Sequence, residues 1–377
     1  MSNYSKEIWN LTEFSLLNST GNGSAIQTTT VGQVVTTAYT LEREISRWLM
    51  AVIIVLGVVT NTMIIAVLLS RTWKSCATTR IILLMIAITD IIVMLLEFFL
   101  HYVPTYWKWF NVFYVSTCGP SAVVQTAVLT SAAWYITLMT FERAVAVCFP
   151  MKAKRICTEK LVIGICAGIP ILSFLLYVYF LGNMVAKDHN GYTMCVPDPK
   201  QDGAVFKAIM QTWITAYFFI PAVIIVGLNA GIVYKLAEAR KSHKNMTFKG
   251  SKSYSTCPTD SNQQRDVTQA FRKATVMVII ASATFVILMI PRGVVTSIYI
   301  DVNWKYSSRL SSYADTTAYI LQYLNHATNF FIYVLANSTF RGYLVSMFTC
   351  KRKRLQYDGV ARSVHLARSP FRLQRNT

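Results

Sequence analysis

Residues 81–103 read IILLMIAITDIIVMLLEFFLHYV, an apolar run interrupted by two acids, Asp90 and Glu97. At ~1.5 Å per residue such a helix covers the ~30 Å hydrocarbon core of a bilayer, which needs about 20 residues. Inside a bilayer only helices and closed barrels satisfy their own backbone. The run shows no alternation of period two, which excludes a barrel strand. Six comparable runs flank it, at roughly Trp48–Ser70, Val115–Val147, Leu161–Phe180, Phe206–Leu236, Ala270–Ile300 and Ala314–Leu335. The sequence therefore predicts an all-α membrane protein, a bundle of seven spanning helices over 48–335. A polar extension, 1–47, is expected to be disordered, and a basic tail, 336–377, follows the bundle.

Composition agrees, with 54% hydrophobic and only 14% charged residues. The net charge of +19 would suit a nucleic-acid partner if it formed one patch. Instead it falls in alternate loops. Lys152, Lys154, Arg155 and Lys160 follow the third run, Lys235 to Lys273 bracket the loop between the fifth and sixth, and Lys351–Arg354 follow the seventh. The positive-inside rule makes those loops cytoplasmic and the N-terminus extracellular, so lipid is the expected neighbour and nucleic acid is not. Four glycosylation sequons, at Asn3, Asn10, Asn18 and Asn22, support that orientation. The start, Met1–Asn10, is polar, so the first run is expected to act as its own insertion signal.

Of eight cysteines, Cys118 and Cys195 fall on the oxidising side, at the outer start of the third run and in the second outer loop. The third run spans both solvents: Cys118 and Arg143 lie about 37 Å apart along a helix. At its inner end Glu142 and Arg143 form an acid–base pair, readable as a latch that can swap partners or as a helix-end arginine reaching to headgroups.

These residues resemble, in order and spacing, the rhodopsin-like family of G-protein-coupled receptors. The matching positions are Asn61, Asp90, Cys118 with Cys195, Glu142-Arg143-Ala144, Pro221, Phe285, Pro291, Asn329 and Tyr333, followed by Phe340-Arg341 at the expected start of a short amphipathic eighth helix. The resemblance implies a Cys118–Cys195 disulfide, a heterotrimeric G protein as partner, arrestin and receptor kinases as regulators, and no enzyme activity. It also implies a switch in which the sixth helix swings outward and frees Arg143. Several positions depart from the pattern. Ala144 replaces a tyrosine, Pro170 a tryptophan, Met289 an aromatic toggle, Asn229 a tyrosine and Phe330 a proline, so the seventh helix is expected to be straighter.

Asp90, deep in its span, must find partners, with Asn61, Asn325 and Asn329 as candidates. The family places a sodium ion at this aspartate. Here Ala132 stands where a hydroxyl is usual and His326 adjoins Asn325, so a protonatable Asp90–His326 pair competes with sodium. No resident cofactor is expected.

The resemblance puts a ligand cavity in the outer half of the bundle. Gln125 occupies the place where amine receptors carry an aspartate, which argues against a monoamine. The expected lining comprises Glu97, His101, Tyr102, Gln125, Thr126, Leu129, Arg292, Thr296, Tyr299, Asp315, Tyr319, Gln322 and Tyr323, an aromatic and polar mixture that suits a short extracellular peptide. Glu97 and Arg292 either bridge the empty cavity or separately take a ligand cation and a ligand carbonyl or carboxylate. The stretch from Glu142 to Thr158 and the Asn329-Phe330-Phe331-Ile332-Tyr333 ending look most like invertebrate neuropeptide receptors of the FMRFamide type, which implies an amidated Arg-Phe peptide.

Cys350, beside Lys351–Arg354, is a palmitoylation candidate, and Ser363 and Ser369 are kinase-site candidates. Neither half repeats the other as transporter halves do. The five histidines show no ligand spacing, and no hydrolase or metalloprotease motif occurs. The alternative within the receptor fold is a constitutively active or orphan protein without a peptide agonist, because Asn229, Met289 and Phe330 alter the family's switch.

Overall fold

The computed structural model describes residues 25–70, 76–103, 111–189, 192–198, 200, 203–249, 259–302 and 309–349. The apolar runs fold as helices, as a chain must where lipid offers the backbone no partner. They are α1 (Ala25–Leu69), α2 (Ala77–Glu97), α3 (Asn111–Cys148), α4 (Glu159–Tyr177), α5 (Gly203–Ile214 and Ile220–Lys249, joined by a π turn at Thr215–Phe219), α6 (Thr259–Val302) and α7 (Arg309–Ala336). A further helix, α8, covers Ser338–Thr349. Within the bundle α1 packs against α2 and α7, α3 against α2, α4 and α5, and α6 against α7.

Six of these helices are long and apolar enough to cross a membrane. The seventh, α7, has 28 residues but spends hydropathy on Asp315, Gln322, Asn325, His326 and Asn329. The distribution of polarity explains why it still belongs with the others. Outward side chains are apolar and exposed, such as Val55, Leu172, Val223 and Ile287, whereas Asn61, Asp90, Asn325, His326 and Asn329 are buried. That arrangement suits lipid as solvent and would fail in water.

The first helix begins at Ala25, not near Trp48 where the apolar run starts. Residues 25–47 of the extension expected to be disordered are therefore helical. The segment carries no proline, and Arg47 reaches Glu44 at 3.6 Å across one turn, a pair that supports a helix beyond the apolar stretch. The sequons at Asn3, Asn10, Asn18 and Asn22 lie outside the described residues, as does Cys350.

Among the described residues two π turns shape the bundle. In α2 the turn at Phe98–Tyr102 follows Glu97 directly and sets the direction of His101. In α5 the turn at Thr215–Phe219 precedes Pro221. The Ile220 N–H reaches back five residues to the Thr215 carbonyl. The next bond of that pattern would run from residue 221 to Ala216, but proline has no N–H. Trp134 of α3 supplies the missing donor: its indole N–H reaches the Ala216 carbonyl at 3.1 Å.

A two-stranded hairpin, β1 (Met184–His189) and β2 (Tyr192–Pro197), follows α4, with Ala186 opposite Cys195. Cys195 is joined to Cys118 of α3 as a disulfide, with the two Cα atoms 5.4 Å apart. The neighbouring Gly119 is needed there. A Cβ at that position would lie 2.4 Å from the Leu181 carbonyl oxygen, so only glycine permits this approach.

Candidate functional site

Toward the disulfide end, α2, α3, α6 and α7 bring seven of the expected cavity residues into one polar network. The His101 ring Nε2 donates to the Gln125 carbonyl oxygen at 2.8 Å, and the Gln125 amide donates to the Tyr323 hydroxyl at 3.3 Å. The Tyr319 hydroxyl donates to Glu97 Oε1 at 2.5 Å, and the Tyr319 and Tyr323 rings meet with centroids 4.9 Å apart. The Arg292 guanidinium lies over the Tyr319 ring, 5.7 Å from its centroid, and bonds Asp315 at 2.9 Å.

Of the two readings left open for Glu97 and Arg292, the mutual bridge is not formed: Arg292 pairs with Asp315. The two are opposed across the neighbouring helices α6 and α7, whereas Glu97 already holds the Tyr319 hydroxyl. Glu97 is 2% exposed, and its second carboxylate oxygen is buried without a hydrogen-bond partner. The unpartnered atoms continue around the same end of the bundle with Gln211 Oε1, the Trp213 indole N–H, Thr296 Oγ1 and Gln322 Oε1. Buried polar groups left in this way normally meet water or a ligand.

The remaining expected positions contribute differently. Tyr102 stacks on Phe98 at 5.8 Å and stays partly buried. Thr126 turns its hydroxyl back to the Ala122 carbonyl of its own helix, and Leu129 is buried in the apolar core. The Tyr299 side chain lies outside the described residues. Sequence reasoning missed Trp213, which stacks on Tyr217 at 5.8 Å.

In the middle of the bundle Asp90 accepts two bonds, from His326 Nδ1 at 2.7 Å and from the Asn329 amide at 2.8 Å. Asn61 donates to the His326 carbonyl at 2.9 Å and so ties α1 to α7. Asn325 makes no bond to Asp90; its amide nitrogen has no hydrogen-bond partner. Below the polar network the Tyr217 hydroxyl donates to Met289 Sδ at 3.7 Å, with Phe285 buried one turn further along α6.

At the opposite end Glu142 and Arg143 pair at 3.1 Å, both nearly buried. Thr78 and Thr79 of α2 donate to Glu142 Oε1 at 3.1 and 2.8 Å, and the Arg143 guanidinium donates to the Thr79 hydroxyl. The latch thus joins α3 to α2, and residues 271–298 of α6 carry no acid that could hold Arg143 instead. Two other bonds restrain α6: Asn229 of α5 donates to the Ser282 hydroxyl at 2.8 Å, and Lys273 to the Ser338 hydroxyl of α8 at 2.9 Å. Tyr333 packs edge-on against Phe340, with centroids 6.0 Å apart, which seats α8 under α7. Beside the latch, burial, aided by the Glu142 carboxylate, pushes the Cys157 thiol above its ordinary range.

A polar network at one end, a buried carboxylate in the middle and a buried arginine latch at the other describe a helical membrane protein with polar sites at both ends of its bundle. Residues 60–333 match the family described as 7 transmembrane receptor (rhodopsin family), and the chain belongs to it. It is accordingly a multi-pass plasma-membrane protein of the receptor class, and not an enzyme. Among curated proteins it is similar to leukotriene B4 receptor 1 of Mus musculus and of Rattus norvegicus. Each is 27% identical over 195 residues, which cover 51% of this chain and 54% of the relative. The chain thus spans about half the length of the relatives it matches. Neither of these relatives is of the FMRFamide type expected from the sequence.

Proposed function

We propose that the disulfide end faces the extracellular medium and receives a short amidated peptide carrying a cationic side chain, of the Arg-Phe-amide kind. The observation that carries this reading is the state of Glu97. It is a buried carboxylate with one free oxygen, and no cation among the described residues pairs with it. Arg292, the cation nearest in this network, is committed to Asp315. The balance of charge there is negative, so a ligand guanidinium completes it with paired, charge-assisted bonds. Tyr102 and Tyr319, which are only partly buried, offer aromatic surface for a phenyl ring.

A second reading comes from the relatives' name, which points to leukotriene B4, a lipid carboxylate. An acid would have to draw Arg292 away from Asp315 and would leave Glu97 unmatched. The two readings separate through paired variants. Glu97→Gln keeps the Tyr319 bond and removes the charge, and should weaken an arginine-containing agonist by more than about tenfold, the equivalent of at least 1.4 kcal/mol. Unchanged potency at equal surface expression rejects the role of Glu97. An acid ligand would instead lose affinity with Arg292→Gln and gain it with Glu97→Gln.

On binding, the peptide guanidinium takes up the free oxygen of Glu97 beside the Tyr319 hydroxyl, and that change reaches α6 through the Arg292 guanidinium over the Tyr319 ring and on through Met289 and Phe285. The outward movement of α6 then breaks the Asn229–Ser282 and Lys273–Ser338 bonds and opens the basic face to the G protein. Arrestin and receptor kinases act on the same face in this reading. A constitutively active protein without an agonist is the outcome to which high basal signalling, indifferent to every ligand, would point.

A further inference from the structure

Receptors of this family are expected to hold a sodium ion at the aspartate that corresponds to Asp90. A hard cation in such a site needs several oxygen ligands around it. The residues here do not supply them. Both carboxylate oxygens of Asp90 are engaged, one by the His326 ring nitrogen and the other by the Asn329 amide. Ala132 of α3 is a buried methyl group. The neighbouring hydroxyls are turned elsewhere: Ser131 donates to the Ala127 carbonyl, and Thr130 is shared with the Tyr177 hydroxyl.

Nor do the remaining groups reconstruct a cation site. The buried unpartnered atoms at this level are Asn61 Oδ1, the Asn325 amide nitrogen, His326 Nε2 and the Tyr333 hydroxyl. That set mixes donors with acceptors, which suits bridging water and not a bare cation. The His326 backbone carbonyl is held by Asn61, and the imidazole ring lies 6.4 Å from that of Tyr323.

We propose that His326 takes the place of the sodium ion: its Nδ1–H serves the Asp90 carboxylate, and this receptor takes no sodium in its core. The pair fastens α2 to α7 directly, where an ion would have linked them through its ligand shell. Because Tyr323 adjoins both His326 and the Gln125 network, this fastening sits immediately beneath that network. The consequence is a receptor whose stability is indifferent to the sodium concentration outside the cell.

The test uses the full chain in lipid nanodiscs. Its thermal midpoint is followed while sodium chloride replaces choline chloride up to about 150 mM at constant ionic strength. The probe is sodium itself, so no ligand is required. The unmodified chain should show no shift. A sodium-dependent rise of about 3 °C that Asp90→Asn abolishes would overturn the proposal, because ligand linkage stabilises only a state that binds the ion. A rise that survives Asp90→Asn would place a sodium site away from Asp90 and overturn the expected indifference to sodium.

The double variant Ala132→Ser/His326→Ser introduces two hydroxyls and frees Asp90 Oδ1, and should gain a sodium-dependent rise. A folded double variant without that gain would show that His326 is not what excludes the ion, and would overturn its assigned role. Should the double variant fail to fold, the titration of the unmodified chain decides by itself.

Discussion

Glu142→Gln isolates the charge that holds Arg143. The side chain keeps its length and keeps an acceptor for the Thr78 and Thr79 hydroxyls at Oε1, but it loses the ion pair of 3.1 Å to Arg143. Breaking a buried ion pair by removing one partner's charge costs about 3–5 kcal/mol when the other charge is left unpaired. The released guanidinium keeps its bond to Thr79, so the lost restraint falls below that range, at about 2 kcal/mol. If the active state is about 1% populated in the unliganded receptor, that loss multiplies its equilibrium constant about thirtyfold and raises its population to roughly 20–25%. The assay is ligand-independent nucleotide exchange on a panel of G proteins in membranes with matched receptor density. Basal exchange should rise at least tenfold. Unchanged basal exchange would refute the idea that the α2–α3 latch holds the inactive state.

Other consequences follow from single contacts. Trp134→Phe retains the ring and removes the donor to the Ala216 carbonyl, which should cost about 1–2 kcal/mol and lower the thermal midpoint by several degrees, measured by thiol-reactive dye or circular dichroism. Cys118→Ala opens a loop of 77 residues in sequence separation. Chain entropy assigns that closure about 4–5 kcal/mol, so surface expression should fall sharply at 37 °C. Gly119→Ala forces a Cβ to within 2.4 Å of the Leu181 carbonyl and should impair folding in the same expression assay. The Cys157 thiol is raised by burial, so at a given pH less of it is thiolate than in a model thiol. Its alkylation should therefore be slower than that of the model and should accelerate as pH rises; a rate equal to the model's would contradict the assigned environment.

The positions of the spans were legible because lipid imposes one rule on every helix, a long apolar run. The long-range order of Asn61, Asp90, Arg143, Pro221 and Pro291 carried the family. What sequence could not supply was partner choice among like charges. Arg292 had two acids within reach along the cavity, and only the relative rotation of α6 and α7 directs it to Asp315 rather than Glu97. The latch partners Thr78 and Thr79 were hidden for the same reason, since threonines in a membrane helix usually bond their own backbone. The hairpin had a signal that went unused: Asn190-Gly191 lies between the two strands, the dipeptide most typical of such a connection. The start of α1 at Ala25 had none, because the added turns are polar and hydropathy does not register them.

The central claim is that an extracellular peptide gates this receptor through Glu97. The most direct measurement is the calcium and cyclic-AMP response of cells expressing the full chain, challenged with amidated short peptides, with and without arginine, beside monoamines and leukotriene B4. The account predicts a saturable response to arginine-containing amidated peptides that Glu97→Gln shifts to higher concentration. A saturable response to leukotriene B4 alone, or silence toward every peptide at normal surface expression, would contradict it.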